Sequence, residues 1–387
     1  MKTLHDTPVR GARVVVRIDC DVPVSARGTI EGDLRLRAAI PTIEYLRDNG
    51  AARIVLVGHL GRPVSRPRQA PSQVAAGNAR LSLEPVAHHL RTLLGFPHTE
   101  LELEPRRLEG MSLPAYPLGQ SIFLLENLRF DPRETQDDRT LARELAGLGD
   151  LYVFDAFAVA HRTHASTVGA IQEAKVAVAG IQFERELAML GQATKAAGKP
   201  FVCVLGGAKV ETKLPIIEHL LDTVDSFLLG GVMANTFAGA LGTEIGRSVA
   251  DAERMVLAKT LYDRAPDKFV LPEDYVWQGD KILDIGAKTR DTFTEVLKGA
   301  KTIFWNGTMG MTSTTARDFR IGTVAVARAI ADNEAAHSVV SGGDTVALLT
   351  EEELSLDRYR FVSMGGGSTL AFMAGETLPA VAALNSH

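Results

Sequence analysis

Phe201–Lys213 reads FVCVLGGAKVETK. The opening run is too short for a helix and too uniformly apolar for a strand with one wet face. It suits a strand buried on both sides in a parallel sheet. Two glycines end it, and the amphipathic stretch Leu214–Leu221 follows, giving strand, tight turn and helix in sequence. Working outward, the pattern recurs at Ser226–Leu229 (SFLL), Thr302–Trp305 (TIFW), Ser338–Val340 (SVV) and Arg360–Ser363 (RFVS). Toward the N-terminus it recurs at Arg13–Ile18 (RVVVRI), Arg53–Val57 (RIVLV), Ser121–Leu125 (SIFLL) and Leu151–Phe154 (LYVF). Helical patterns separate the strands. Leu34–Arg47 sets Leu36, Ile40, Ile43 and Leu46 on one face, and Asp138–Leu148 reads similarly.

Such alternation predicts an α/β fold: two similar-sized domains, each a mostly parallel sheet covered by helices on both faces, joined by a helix and hinge. At roughly 100–200 residues per domain, 387 residues hold two or three. The division is expected near Gly169–Glu186, giving domains 1–175 and 176–369, with Glu184–Ala197 as the linking helix. Val64–Asn78, rich in Pro, Arg, Gln, Ser and Gly, reads as an exposed loop.

A content of 45% hydrophobic and 23% charged residues is that of a globular protein that builds its core without staples. A net charge of −5 argues against a general nucleic-acid or membrane-surface binder. No apolar run reaches the roughly 20 residues that span a bilayer, and the N-terminus lacks a signal-peptide core. The two cysteines, Cys20 and Cys203, have no metal or redox spacing and read as small buried residues of a reducing, cytoplasmic compartment.

Ligands of open α/β sheets sit beyond the carboxyl ends of the strands. In the first half these positions are polar and often cationic: Asp19 and Asp21, then His59 and Arg62, then Glu126, Asn127 and Arg129, then Asp155, His161, Arg162 and His164, with Arg35 and Arg37 opening the first helix. In the second half they are glycines: Gly206-Gly207, Gly230-Gly231, Asn306-Gly307, Gly342-Gly343 and Gly365-Gly366-Gly367. One Gly-Gly turn is more often a helix start than a phosphate cradle, and one arginine after a strand is more often a solvated side chain. Repetition along one edge changes that balance. Glycine turns before helix N-termini offer free N–H groups to nucleotide phosphates, and guanidinium groups suit a small acid bearing carboxylate and phosphate. Lys209 and Lys213 are the lysines nearest the first glycine turn. Neither a Gly-Lys-Ser/Thr loop nor a Rossmann fingerprint is present.

The segments VVVRIDCDVPV, DLRLRAAIPTIEYL, GHLGRP, LLENLRF, DAFAVAHRTHAS, LGGAKVETK, GGVMANTF, LDIG, WNGTMG, GGDT and MGGGSTLAFMAGETLPAV run in order over nearly the whole chain. Together they resemble the phosphoglycerate kinase family. The resemblance implies reversible phosphoryl transfer between ATP and the carboxylate of 3-phosphoglycerate, in glycolysis. It implies an N-terminal domain that binds 3-phosphoglycerate or 1,3-bisphosphoglycerate through Asp19, Asp21, Arg35, His59, Arg62, Arg129 and Arg162. It implies a C-terminal domain that binds ATP or ADP through Gly207, Ala208, Lys209, Lys213, Gly231, Gly286, Asn306, Gly307, Gly343, Asp344 and Thr345. Arg35, Lys209 and Lys213 would be catalytic, and Asp344 would hold Mg2+. Residues from about 370 to 387 would return to the first domain, and the enzyme would be a monomer with neither nucleic-acid nor membrane partners. The carboxylate is itself the nucleophile, so catalysis would be positioning and charge neutralisation in a closed, water-free cleft.

Several positions depart from the family pattern. Asp21 stands for Asn, Phe157-Ala158-Val159 for Phe-Gly-Thr, Thr308 for Pro, Met311-Thr312-Ser313 for Val-Phe-Glu, and Met364 for Thr. Val232 and Ser341 stand where glycines are usual, and Leu271–Asp284 is a shortened connection. Ser313 thereby removes the acid expected at the nucleotide ribose. Two alternatives follow: an acyl-phosphate-forming kinase for a related phospho-acid, motivated by Asp21, and a weakly catalytic ligand-binding homologue, motivated by Ser313 and Met364.

Overall fold

The computed structural model describes residues 1–65, 69–96, 104–195, 198–312 and 317–387. Two compact units result, Met1–Glu186 with Thr377–His387, and Leu187–Glu376.

In the first unit the elements are β1 (Arg13–Arg17), α1 (Leu34–Asp48), β2 (Arg53–Val57), α2 (Pro71–Gly77), α3 (Glu84–Leu93), β3 (Arg106–Arg107), β4 (Pro114–Pro117), β5 (Ile122–Leu125), α4 (Arg139–Gly147), β6 (Leu151–Phe154), α5 (Ala170–Glu173) and β7 (Ala177–Ala179). The sheet order is β3-β4-β5-β2-β1-β6-β7. The strands from β5 to β7 pair parallel, while β3 and β4 form an antiparallel edge. Val14, Val16, Ile54, Leu56, Leu124 and Val153 of this sheet pack with Ile43 and Leu46 of α1 in one apolar core. α4 begins where the Asp138 carboxylate accepts hydrogen bonds from Thr140 N and Leu141 N, a cap worth about 1 kcal/mol.

The expected division at 175/176 precedes β7, whose pairing with β6 holds that segment in the first unit. The connecting helix α6 (Ile181–Lys195) starts earlier than expected, because Asp155 beyond β6 accepts from Phe183 N at 2.9 Å. The Thr42 hydroxyl meets Ile181 N at 3.1 Å. Burial pushes the Asp155 carboxyl up to about 7, against the pull of its bonds to Thr42 and Phe183 N. Residues 196 and 197, the expected end of that helix, lie outside the described residues. Part of the expected exposed loop Val64–Asn78 is helical instead. Pro71 opens α2, the Gln73 side chain accepts from Ala70 N, and Val74 is buried.

The second unit holds β8 (Phe201–Leu205), α7 (Leu214–Leu220), β9 (Ser226–Leu229), α8 (Gly231–Ala240), α9 (Met255–Arg264), β10 (Phe269–Val270), β11 (Tyr275–Gln278), β12 (Lys281–Ile285), α10 (Ala287–Gly299), β13 (Thr302–Asn306), α11 (Ile321–Asp332), β14 (His337–Ser341), α12 (Gly343–Glu351), β15 (Phe361–Ser363) and α13 (Gly367–Met373). Its parallel sheet runs β10-β9-β8-β13-β14-β15. Val202, Val204, Ile303 and Trp305 pack against Phe293 and Leu297 of α10 and Ile330 of α11. The shortened connection contains a separate hairpin, β11 with β12, that turns at Gly279 and Asp280. The last helix, α14 (Pro379–Ser386), belongs to the first unit. It buries Ala380, Ala383 and Leu384, and Ala380 N donates to Ala160 O at 3.1 Å.

Candidate active site

At the carboxyl edge of the first sheet, side chains hold one another in a chain. Arg17, the last residue of β1, is 1% exposed although it is charged. Its Nε donates to Ser166 Oγ at 2.9 Å, a further N–H donates to Ile18 O, and NH2 lies 3.0 Å from His59 Nδ1. Ser166 in turn donates to Glu134 through N and Oγ, at 3.0 and 2.6 Å. Glu134 is buried, which pushes its carboxyl up while Arg17 and Ser166 pull it down.

Asp21, the departure from the family's Asn, accepts Gly61 N at 2.9 Å through Oδ1. Its Oδ2 stands 3.8 Å from His59 Nε2 and 3.9 Å from Arg35. Arg35 also donates to the Asp21 carbonyl. The extra carboxylate therefore braces the turn carrying Arg62 and shares its charge with Arg35. Asp19 Oδ2 accepts Ala158 N at 3.0 Å, whereas its buried Oδ1 makes no hydrogen bond among the described residues. Burial raises the Asp19 carboxyl, with Arg35 and Arg17 opposing. Arg129 is buried and donates to Gly61 O at 2.5 Å.

The cations crowd one another. Burial and then Arg162 and Arg17 lower Arg129 to about 10. Burial and Arg62 lower Arg162, and burial with Arg129 and Arg162 lowers His164 to about 4. Asp19, Asp21, Arg35, His59, Arg62, Arg129 and Arg162 are thus linked by hydrogen bonds or mutual electrostatics at one sheet edge. Arg17, Glu134 and His164 join them. Arg17 was legible as a charge following the apolar Val14–Val16 within the strand run. Glu126 and Asn127 serve differently: Glu126 accepts from Leu83 N, Ser82 Oγ and Tyr116 Oη, and Asn127 donates to Leu60 O and Leu81 O. They brace the surrounding loops.

In the second unit the edge is built from backbone. Gly207, Gly231 and Gly307 all have left-handed φ, at 76°, 56° and 94°. Gly207 N donates to Thr308 O and Gly231 N to Met309 O, at 2.7 and 2.8 Å. A Cβ on Gly231 would lie 2.9 Å from Gly207 N, so only glycines let these turns meet. Gly307 N donates to Thr345 Oγ1 at 3.1 Å, and Asn306 Nδ2 to Ser341 Oγ at 2.8 Å. Ser341, in place of a glycine, thus ties down Asn306 across the β13–β14 pair. Thr308, in place of Pro, donates its hydroxyl to Gly310 O at 3.0 Å. Lys213 is buried, its Nζ 3.4 Å from Lys209 O, and burial lowers its pKa. Lys209 is exposed.

Beside these turns lies a cavity of about 310 Å³. Gly207, Ala208, Gly231, Val232 and Asp344 line it, with Tyr275, Ile282 and Leu283 from the hairpin and Met309 and Met311. Lys209, Lys213, Gly286, Asn306, Gly307, Gly343 and Thr345 are not among its lining residues. Gly286 caps α10, while its neighbours Asp284 and Ile285 line the cavity. Reading the sequence did not single out Asn235, Tyr275 or Asp284, which also contribute to the lining. The two-residue Gly279-Asp280 link between the short runs Tyr275–Gln278 and Lys281–Ile285 was the available signal for the hairpin. Asn235 donates through Nδ2 to Val249 O at 3.0 Å. Ser313 lies outside the described residues.

A sheet edge crowded with cations and a second edge of glycine turns beside a cavity define an α/β phosphotransferase. The family model described as phosphoglycerate kinase matches residues 4–376. The phosphoglycerate kinase of Herpetosiphon aurantiacus is 40% identical over 406 residues, covering 99% of both chains. That of Rubrobacter xylanophilus is 41% identical over 405 residues, covering 99% of this chain and 98% of its own. The structure of phosphoglycerate kinase from Coxiella burnetii superposes with a TM-score of 0.81 at 33% identity, over 99% of this chain and 98% of that one. The chain belongs to the phosphoglycerate kinase family. It is an enzyme of glycolysis that transfers a phosphoryl group, and the comparisons favour neither alternative raised by the departures. Among the described residues, no helix is long and apolar enough to cross a membrane.

Proposed function

We propose that Arg35, His59, Arg62, Arg129 and Arg162 hold the phosphate and carboxylate of 3-phosphoglycerate or 1,3-bisphosphoglycerate, with Asp19 and Asp21 ordering them. The crowding of Arg17, Arg129, Arg162, His59 and His164 carries this reading. Each of the last four loses proton affinity to burial first and to neighbouring cations next, and a bound multivalent anion relieves that repulsion. Asp19 Oδ1, buried and without a hydrogen-bond partner among the described residues, supports the reading, since a substrate hydroxyl would supply one.

ATP or ADP is assigned to the glycine edge. Gly207, Ala208, Gly231 and the apolar hairpin residues form the cavity for the nucleoside. Asn306, Gly307, Gly343, Thr345 and the lysines are assigned to its phosphates, with Gly286, the cap of α10, beside the hairpin. Asp344 is exposed on the cavity wall, and no group of three or more acidic, His or Cys side chains accompanies it among the described residues. That suits Mg2+, which takes one carboxylate, several waters and the nucleotide's own phosphates. The ion would neutralise charge on the phosphates. Arg35, Lys209 and Lys213 take the catalytic roles, pairing the equatorial oxygens of the moving phosphoryl group as positive point charges. The acid's carboxylate needs no general base.

Calorimetric titration with 3-phosphoglycerate, MgADP and MgATP, followed by a coupled turnover assay, tests the assignment. Saturable binding of each ligand and ordinary kinase turnover are expected. Binding without turnover, or a clear preference for another phospho-acid, would overturn it.

A further inference from the structure

His59 is 3% exposed, yet it stands at the first unit's cation cluster with both ring nitrogens near charged partners. Its Nδ1 faces Arg17 NH2 at 3.0 Å. A guanidinium group has N–H donors and no acceptor, so this contact is a hydrogen bond only when Nδ1 carries its lone pair. A proton on Nδ1 would set two donors against each other at 3.0 Å, and in the imidazolium ion two positive charges as well. Arg17 is held in place, because its Nε–H and an N–H of its other terminal nitrogen are committed to Ser166 Oγ and Ile18 O, and Ser166 is fixed in turn by Glu134. The proton of the imidazole is therefore on Nε2, where Asp21 Oδ2 stands 3.8 Å away, beyond direct hydrogen-bond reach.

We infer that His59 serves the acid site as a neutral donor, its Nε2–H held by Arg17 for an oxygen of the bound acid, and that Arg17 is a positioning residue acting through it. This rests on the acid-site assignment above. Other charged and titratable groups around the ring push in the same direction or too weakly to oppose it. Arg129 comes from the segment after β5, and Arg162 and His164 from the segment after β6; with Arg17, each disfavours an imidazolium ion. Asp21 is the nearby group of opposite sign, and its Oδ1 is already engaged by Gly61 N. The consequence is a separation of roles. Arg35, Arg62, Arg129 and Arg162 supply charge. His59 supplies direction, and it does so independently of its own titration across neutral pH.

The experiment uses the full chain labelled with 15N-histidine, observed by two-bond 15N–1H correlation at pH 5.5, 6.5 and 7.5, with assignment by loss of one pattern in His59→Gln. A single neutral Nε2–H pattern for His59 at all three pH values is expected. An Nδ1–H pattern, or a midpoint for His59 inside that range, would overturn the inference. Saturating 3-phosphoglycerate should shift the His59 Nε2 proton. Binding of the acid without that shift would also overturn it, and failure of the acid to bind at all would remove the acid-site assignment while the ligand-free spectrum still reports the tautomer. His59→Gln, whose amide N–H falls near the Nε2 position, should keep affinity for the acid within about fivefold, and His59→Asn should lose roughly tenfold or more. Arg17→Met should weaken the acid about tenfold with MgADP binding unchanged and give mixed His59 tautomers. If that variant does not fold, the wild-type spectrum alone decides.

Discussion

The two sheet edges, proposed above as the two anion sites, are built by opposite means. In the first unit charged side chains make the edge, and they must be fixed. Arg17 is clamped by Ser166 and Ile18, Asp21 by Gly61 N, and Asp19 by Ala158 N. In the second unit closely packed backbone turns make the edge, and side chains must be absent. Gly207, Gly231 and Gly307 bring three turns together in left-handed conformations that a Cβ would obstruct. Side-chain charge gives strong but easily misdirected binding, which a network must orient. The N–H groups of Gly207, Gly231 and Gly307 are spent on Thr308 O, Met309 O and Thr345 Oγ1, so what this edge offers is close access to the backbone, which tolerates changes in neighbouring side chains. Departures from the family pattern fall on both edges, and at the first Asp21 accepts Gly61 N. Thr308 and Ser341 entered the glycine edge and each found a hydrogen bond, to Gly310 O and Asn306.

The comparison breaks most sharply at Arg35. Arg35→Ala should lower kcat by about 10²–10³-fold while MgADP affinity changes less than threefold, as for loss of a donor to the transition state. Equal losses in kcat and in calorimetric nucleotide affinity would remove its catalytic role. Next comes Gly231→Ala, which should weaken MgADP by roughly tenfold and lower stability by about 1–2 kcal/mol through strain at positive φ. Unchanged 3-phosphoglycerate affinity is expected alongside it, measured by calorimetry on the same sample.

Smaller effects sharpen the contrast. The Asp155 carboxyl, raised to about 7, keeps a proton in the folded chain that the unfolded chain releases near pH 4. A raised acid contributes its stability below the unfolded value, so stability should fall as pH rises from about 4 to 7. Asp155→Asn should flatten that slope, by a few degrees in Tm, roughly what 1 kcal/mol produces in a domain this size. Thermal melts of both proteins at pH 4.5 and 7.5 check this, and an unchanged slope would mean Asp155 is ionised throughout. Least of all, Ser341→Gly should raise KM for MgATP only about two- to fivefold, the value of one neutral hydrogen bond, and leave KM for 3-phosphoglycerate unchanged.

By itself the sequence determined the parallel strands, the alternation with helices and the character of each edge. Those features are local: a short β-branched run, a glycine pair or an arginine after a strand carries its meaning within a few residues. It did not show the β11–β12 hairpin inside a stretch read as a connection, nor α2 inside a stretch read as a loop, because both depend on weak local preferences that packing decides. Most of all it could not show which polar residues face the ligand and which face the protein. Glu126 and Asn127 sit in the same kind of segment as Arg129 yet spend their hydrogen bonds on neighbouring loops, while Arg17, hidden in a strand, reaches His59. Hydrogen-bond partners distant in sequence are chosen only when the chain has folded, since a buried polar group must find its partner among whatever the tertiary structure brings within 3 Å or so.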